Sequence, residues 1–415
     1  MPDRSAPAGS VFYGWVVVAA AFLITFIGFG IAYTFSAFAT SLQSEFGVSR
    51  GLLSAVFGTT AFVYFGAGLI TGPLADRFGV RPLAAAGMVL VAAGMVGAGL
   101  ATTPFGVFAA YVIGVGLGIG CAYVPAVAAV QRWFRRQRGL ASGLAVSGIG
   151  VGTLILPPVA SALIAMWGWR ASYVVLGITA GAIGVVAALL LRDSPASMGL
   201  LPDGERGPAA TSREPTGVPL GAALRSARFA VLYLSTLLTG IGAFVPFVHV
   251  ASYAMDQGVA PQRAVLLIAI IGVGSTVSRF ALGSLADRLG RDVSLIAMTL
   301  GMAVALACWP SLTGFRALAA FALMFGGFYG GWVALLPSLV MDWFGARHLA
   351  GIIGILYTSV GIGTLVGPGA VGYAFDLTGS YGLALIGSAI AGLLGAATLT
   401  LAGRLQARSA SDGAQ

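Results

Sequence analysis

Twelve apolar stretches, each about 20 residues long, constrain this chain more than any other feature. Their approximate limits are 15–39, 52–74, 83–101, 105–130, 139–165, 171–192, 229–254, 264–286, 293–309, 315–340, 349–375 and 381–402. About 20 apolar residues in helical form cross the ~30 Å hydrocarbon core of a bilayer. Inside that core a backbone must satisfy its own hydrogen bonds, and for a single apolar stretch the α-helix does so. Composition agrees: 58% of the residues are hydrophobic and 8% charged, whereas a soluble domain carries about 25% charge. Mean hydropathy is +0.96. The 62 glycines suit helices whose backbones approach closely in lipid. The expected fold class is all-α integral membrane, with 12 transmembrane helices.

The formal charge of +9 raises the question of nucleic acid, and its distribution argues against it. All 22 basic residues are arginine. Seventeen fall between segments on one side of the expected membrane, and four (Arg50, Arg170, Arg263 and Arg316) on the other. That asymmetry is a topology signal. The expected setting is a plasma membrane, as in the inner membrane of a bacterial cell, with both termini cytoplasmic. Cys121 and Cys308 fall inside apolar stretches, so neither a disulfide framework nor a metal site is expected. The N-terminal residues lack a cleavable signal pattern, and the first apolar stretch runs on into a full span.

The chain repeats itself. GPLADRFGVR (Gly72 to Arg81) matches GSLADRLGRD (Gly283 to Asp292), with Asp76 and Asp287 211 positions apart. Trp133-Phe134 matches Trp343-Phe344, and GVGTLILPP (Gly150 to Pro158) matches GIGTLVGPG (Gly361 to Gly369), at offsets of 210 and 211. Between the sixth and seventh stretches lies a segment rich in Pro, Gly, Ser and charge, which reads as a linker. The expected organisation is a cytoplasmic N-terminus (1–14), a six-helix bundle (15–192), a cytoplasmic linker (193–228), a second six-helix bundle (229–402) and a cytoplasmic tail (403–415). Two pseudo-symmetric bundles of this kind predict a two-fold axis along the membrane normal and a binding site near the midplane between them.

The remaining arginine, Arg279, lies inside the eighth stretch, AVLLIAIIGVGSTVSRFALGSLA. Such a charge costs roughly 3 kcal/mol on insertion scales. It sits eight residues from Asp287 at the segment end, about 12 Å of helix, farther than a side chain snorkels. It reads as an anion-holding group, against the alternative of an arginine tied to backbone carbonyls at a helix end. Ser275 shares its helix face and either contacts that site or bonds back to its own helix. His249 and Asp256 lie seven apart on one face of the seventh stretch. Asp256 is a candidate partner of Arg279 or a proton acceptor, and equally an interfacial carboxylate. His249 is a candidate proton carrier or a neutral hydrogen-bonding group. Tyr123 in GLGIGCAYVPAV, Tyr329 in GGFYGGW and Tyr357 are candidate walls, each offering a ring and a hydroxyl. No paired carboxylates, metal cluster or nucleophile constellation marks an enzyme, and no cofactor is expected.

The motif G-x-L-A-D-R-x-G-x-R and its second copy resemble the signature of the major facilitator superfamily. That resemblance implies alternating access by rocking of two halves. It also implies that Asp76, Arg77, Arg81, Asp287, Arg288 and Arg291 make charge contacts that hold the outward-facing state. WFRRQRGLASGLAVSGIGVG (Trp133 to Gly152) resembles the monocarboxylate-transporter signature. Tyr13-Gly14-Trp15 resembles part of that family's first-helix signature, without its acidic residue. VPFVHVASYAMDQG (Val245 to Gly258) and GSTVSRFALG (Gly274 to Gly283) resemble the seventh and eighth helices of bacterial members, relatives of oxalate/formate exchangers.

The resemblance implies that Arg279 holds a substrate carboxylate and that Tyr123 faces the substrate, with Leu144 a candidate apolar contact. The chain departs from the pattern at Ser275, where animal members carry an aspartate, and at Tyr33, near a first-helix lysine. The run Tyr357-Thr358-Ser359-Val360-Gly361 also lacks the lysine of dicarboxylate exchangers. One expected cation in place of two matches a single carboxylate. The implied function is secondary transport of small monocarboxylates such as lactate or pyruvate with a proton, by a monomer in a lipid bilayer. The alternatives are organic anion exchange and, less in keeping with the short linker, a non-transporting receptor.

Overall fold

The computed structural model describes residues 12–134, 138–204, 217–345 and 349–412. The side chains of Asp76, Arg77, Asp287 and Arg288 lie outside the described residues, so the contacts expected of them have no structural account. Regular structure among the described residues is helical, apart from one β-bridge between Gly217 and Gly345.

In chain order the long helices are α1 (Tyr13–Phe46), α2 (Arg50–Phe78), α3 (Val80–Leu100) and α4 (Pro104–Trp133). The run Arg138–Leu190 follows, in which Gly168 at φ 76°, ψ 164° is not helical. This single residue divides the run into α5 (138–167) and α6 (169–190). The second half holds α7 (Ala227–Asp256), α8 (Pro261–Leu289), α9 (Arg291–Cys308), α10 (Gly314–Phe344), α11 (Leu349–Thr378) and α12 (Gly382–Asp412). Among the described residues, eleven helical runs are long and apolar enough to cross a membrane. With the fifth counted as two, the twelve expected spans are present.

Two helices overrun their apolar stretches. α1 continues from the apolar end near 39 through Ser41, Gln43 and Ser44 to Phe46, and α12 continues to Asp412. Hydropathy marks where a helix leaves lipid, whereas caps mark where it ends. α1 stops at Gly47, whose left-handed φ of 63° returns its N–H to Gln43 O at 2.9 Å. The following helix starts are capped by side chains: Ser49 accepts from Leu52 N, Thr103 from Gly106 N and Ser226 from Phe229 N.

The repeat extends to the backbone. Left-handed glycines recur 211 positions apart at Gly47 and Gly258, Gly79 and Gly290, and Gly168 and Gly379. A positive φ costs a side-chain-bearing residue but not glycine, so these turns hold both halves to the same chain path. Within the first half, α1 packs on α5 and α3 on α6; α7 packs on α11 and α9 on α12 in the second. Among the described residues the two most extensive contacts between the halves are α2 with α11 and its repeat mate, α8 with α5. Both are lined by glycine. A Cβ on Gly58 would lie 2.8 Å from Thr364 O, and one on Gly272 would lie 2.6 Å from Gly150 O.

Candidate functional site

Arg279 is reached by following the α5–α8 seam. Gly150 and Gly272 let the two backbones meet, and about two turns farther along α8 the Arg279 guanidinium crosses to α5. There Nη1 donates to Val146 O at 2.5 Å. The side chain is 3% exposed. Its Nε and Nη2 have no hydrogen-bond partner, and neither has the Oγ of Ser275, one turn earlier on the same face. A tie to a backbone carbonyl therefore exists, but that carbonyl belongs to the other half and not to a helix end. It occupies one nitrogen of three. The Nε–Nη2 edge of the plane is the side-on fork that takes both oxygens of one carboxylate. A buried donor without a partner costs about 1–3 kcal/mol, more when charged, so this edge is where an anion gains most.

Four buried tyrosines lie within electrostatic range of the guanidinium: Tyr33 on α1, Tyr123 on α4, Tyr329 on α10 and Tyr357 on α11. They pair across the halves. The Tyr33 and Tyr329 hydroxyls are 3.0 Å apart, and the Tyr123 and Tyr357 hydroxyls face one another. Tyr33 stacks on Phe247 at 4.4 Å, and Phe29 sits edge-on to Tyr123 at 4.9 Å. The cluster gives a cation with an apolar, hydroxyl-studded wall, the arrangement for a small acid with a polar head. Tyr123 stands just after a local departure in α4, where Tyr111–Leu117 is π-helical. Leu144 is half-buried on α5, two residues from Val146.

His249 and Asp256 lie toward the arginine-poor end. His249 is 2% exposed, and its Nε2 lies 3.0 Å from Pro368 O and 3.2 Å from Ser54 Oγ. A carbonyl only accepts, so Nε2 carries the proton and donates to α11. Asp256 does not partner Arg279. Both its oxygens bind Arg50 of α2, at 2.6 and 2.7 Å. Arg50 also donates to Tyr381 OH at 2.9 Å and lies 4.4 Å over the Phe375 ring. Next to it, Gly51 N donates to Asp376. This clasp joins the halves at their arginine-poor end, above a cavity of about 20 Å³ bordered by Arg50, Ser54, His249 and Ser252.

The repeat explains why Asp256 reaches across. Its counterpart 211 positions earlier is Glu45, which binds Arg170 of its own half at 2.5 Å and accepts from Trp169. The counterpart of Arg170 is Tyr381. With tyrosine at that place, Asp256 has no internal cation and takes Arg50 from the first half.

Two loop-motif arginines with described side chains make contacts inside their own halves. Arg81 donates to Leu191 O at the end of α6, and Arg291 binds both oxygens of Asp342 on α10. Sequence reasoning counted Arg50 only as a topology marker and passed over Ser54, Tyr64, Phe247 and Tyr381. Aligning EFGV (Glu45 to Val48) with DQGV (Asp256 to Val259) offers one signal, since it exposes the unmatched Tyr381.

The Major Facilitator Superfamily profile matches residues 20–315 and 251–413. Monocarboxylate transporter 12-B of Danio rerio is 31% identical over 91% of this chain and 86% of that protein. Monocarboxylate transporter 11 of Homo sapiens is 29% identical over 89% and 78%. A crystal structure of a D-xylose-proton symporter superposes with a TM-score of 0.73 at 15% identity, covering 94% of this chain and 97% of that one. That last likeness concerns the fold. With its twelve spans, its repeated halves and relatives of this kind, the chain belongs to the major facilitator superfamily, in its monocarboxylate transporter-like branch, and is a multi-pass membrane transporter, not an enzyme.

Proposed function

We propose that this secondary transporter carries small organic monocarboxylates of the lactate and pyruvate type, coupled to a proton. The observation that carries the reading is the buried Nε–Nη2 edge of Arg279, unpartnered among tyrosines between the halves. A single carboxylate fills the fork and neutralises the guanidinium. That lowers the electrostatic penalty of enclosing it. Tyr123, Tyr329, Tyr357 and Tyr33 close on the remainder of the acid, with Ser275 beside the carboxylate and Leu144 against the chain. The halves, 15–192 and 229–402, joined by the linker 193–228, then rock about the site between them, and one chain suffices. The arginine-rich end faces the cytoplasm.

Proton coupling runs through the clasp. Protonating Asp256 removes the charge that fixes Arg50, so a proton arriving from outside favours opening of that end. His249, bound to both halves beneath, is the second candidate carrier. A pH-gradient-driven uptake of radiolabelled lactate or pyruvate into proteoliposomes tests the reading, with Arg279→Gln as the control. Uptake undiminished in Arg279→Gln sinks it.

One observation favours exchange of organic anions, as in the oxalate/formate type. Arg279 has no carboxylate partner among the described residues, so the empty carrier must reorient around an uncompensated buried charge. Exchange avoids that step. Uptake that needs preloaded counter-substrate and ignores the pH gradient selects this second reading.

A further inference from the structure

Among the described residues, buried polar side-chain atoms without a hydrogen bond are few, and three of the residues that carry them lie about one set of tyrosines. Arg279 and Ser275 are two, both on α8. The third is Tyr64 on α2, 2% exposed, its hydroxyl unpartnered. The other buried atoms of this kind stand apart: the Tyr173 hydroxyl belongs to α6, Trp309 Nε1 follows α9, and one oxygen of Asp292 lies at the start of α9.

Tyr64 is held by the close approach of α2 to α4. A Cβ on Gly120 would lie 3.0 Å from Tyr64 O, so the two backbones touch there, one turn before Tyr123. Its ring lies edge-on to Phe29 at 5.5 Å, and Phe29 in turn contacts Tyr123. The hydroxyl is within electrostatic range of Tyr33, Tyr123 and Tyr329, three of the four tyrosines that surround Arg279. Those three are engaged with one another or with Tyr357. Tyr64 is the tyrosine of the group whose hydroxyl is fully buried with no hydrogen bond, and it approaches from the half opposite Arg279.

We infer that Tyr64 is a specificity-determining residue, donating its hydroxyl proton to a hydroxy or keto oxygen on the carbon chain of the acid whose carboxylate Arg279 holds. The assignment rests on the carboxylate reading given above. The division of labour follows from position. Arg279 and Ser275 share one face of α8 and serve the carboxylate end. Tyr64, on the facing half, serves the other oxygen. A plain fatty acid fills the same volume but leaves the Tyr64 hydroxyl dry and unbonded, so the site discriminates against it.

The test uses full-length protein in detergent and two matched pairs, lactate against propionate and 3-hydroxybutyrate against butyrate. Kd is measured by titration calorimetry for wild type, Tyr64→Phe and Arg279→Gln. Wild type is expected to prefer the oxygenated acid at least tenfold in one pair. Tyr64→Phe is expected to weaken that acid about tenfold and its plain partner less than twofold, collapsing the ratio. The melting temperature of ligand-free Tyr64→Phe is expected to equal or exceed that of wild type, because the variant deletes an unbonded group.

A wild-type ratio near one, a ratio retained in Tyr64→Phe, or equal weakening of both acids overturns the assignment. A lowered ligand-free melting temperature overturns its premise. If wild type binds the acids without preference and Arg279→Gln binds none, the carboxylate reading stands and the Tyr64 assignment alone falls. Wild type that binds no acid removes both.

Discussion

Replacing Asp256 by asparagine keeps the shape of the clasp at the arginine-poor end and removes its charge. The pair consists of two charge-assisted bonds at 2.6 and 2.7 Å, with side chains 24% and 36% exposed. Exposed ion pairs contribute about 0.2–1 kcal/mol. A bidentate fork held between two half-covered groups belongs at or above the top of that range, about 1–2 kcal/mol. Arg50 keeps Tyr381 and Phe375 in the variant, which argues against a larger figure. The contact exists only while that end is shut, so its loss shifts the open-to-closed ratio by about 5- to 30-fold.

Ser252 borders the cavity beneath the clasp and serves as the reporter site. With Cys121 and Cys308 replaced by serine, Ser252→Cys is labelled by a membrane-impermeant thiol reagent. Asp256→Asn is expected to raise the labelling rate by that factor, and labelling of the protein with Asp256 intact is expected to rise with salt as the pair is screened. Tyr381→Arg is expected to act in the same direction, because it gives Asp256 the internal cation that Glu45 has in Arg170. The exchange Arg50→Asp with Asp256→Arg is expected to restore slow labelling. Unchanged labelling in Asp256→Asn and Tyr381→Arg, or a charge exchange no slower than the single variants, refutes the clasp.

Three further outcomes are expected. Arg279→Gln abolishes carboxylate-induced thermal stabilisation while the ligand-free protein melts no lower, since a buried and incompletely bonded charge is removed; a retained ligand shift contradicts this. Gly58→Ala sets a Cβ 2.8 Å from Thr364 O and 3.0 Å from Leu365 Cα, both backbone atoms, so it disfavours the closed arrangement by about 1–3 kcal/mol; labelling at Ser252→Cys as slow as in wild type argues against that. His249→Gln is expected to leave counter-substrate exchange intact and to flatten the pH dependence of net uptake, measured in proteoliposomes; an unaltered pH profile assigns the proton to another group.

Much of the architecture was legible from the chain alone because its causes are local. Each span is a run of about 20 apolar residues, and a bilayer permits such a run little besides a helix. The two-fold organisation is written as motifs 210 or 211 positions apart, and the structure repeats it in glycine φ angles. Arg279 stood out because one charge in an apolar helix is visible without a partner. The length of α1 was not legible, since Gly47 and not hydropathy ends it.

Asp256 marks the boundary of such reading. Its alignment with His249 on one helix face suggested a role beside Arg279, yet its partner is Arg50, 206 residues away. Helical periodicity records which face a residue occupies and is silent on which helix meets that face. The same limit hid Tyr64. Nothing near it in sequence distinguishes its hydroxyl from that of Tyr33 or Tyr123. The difference arises when α1, α4, α10 and α11 converge: Tyr33 and Tyr329 hydrogen-bond across the halves, Tyr123 and Tyr357 approach one another, and the Tyr64 hydroxyl is buried with no hydrogen bond. Hydropathy and repetition are properties of the chain, and they determine spans, halves and the buried charge. Which polar groups are paired, and which are left open for a ligand, depends on contacts between helices far apart in sequence, and arises only when the two halves close together.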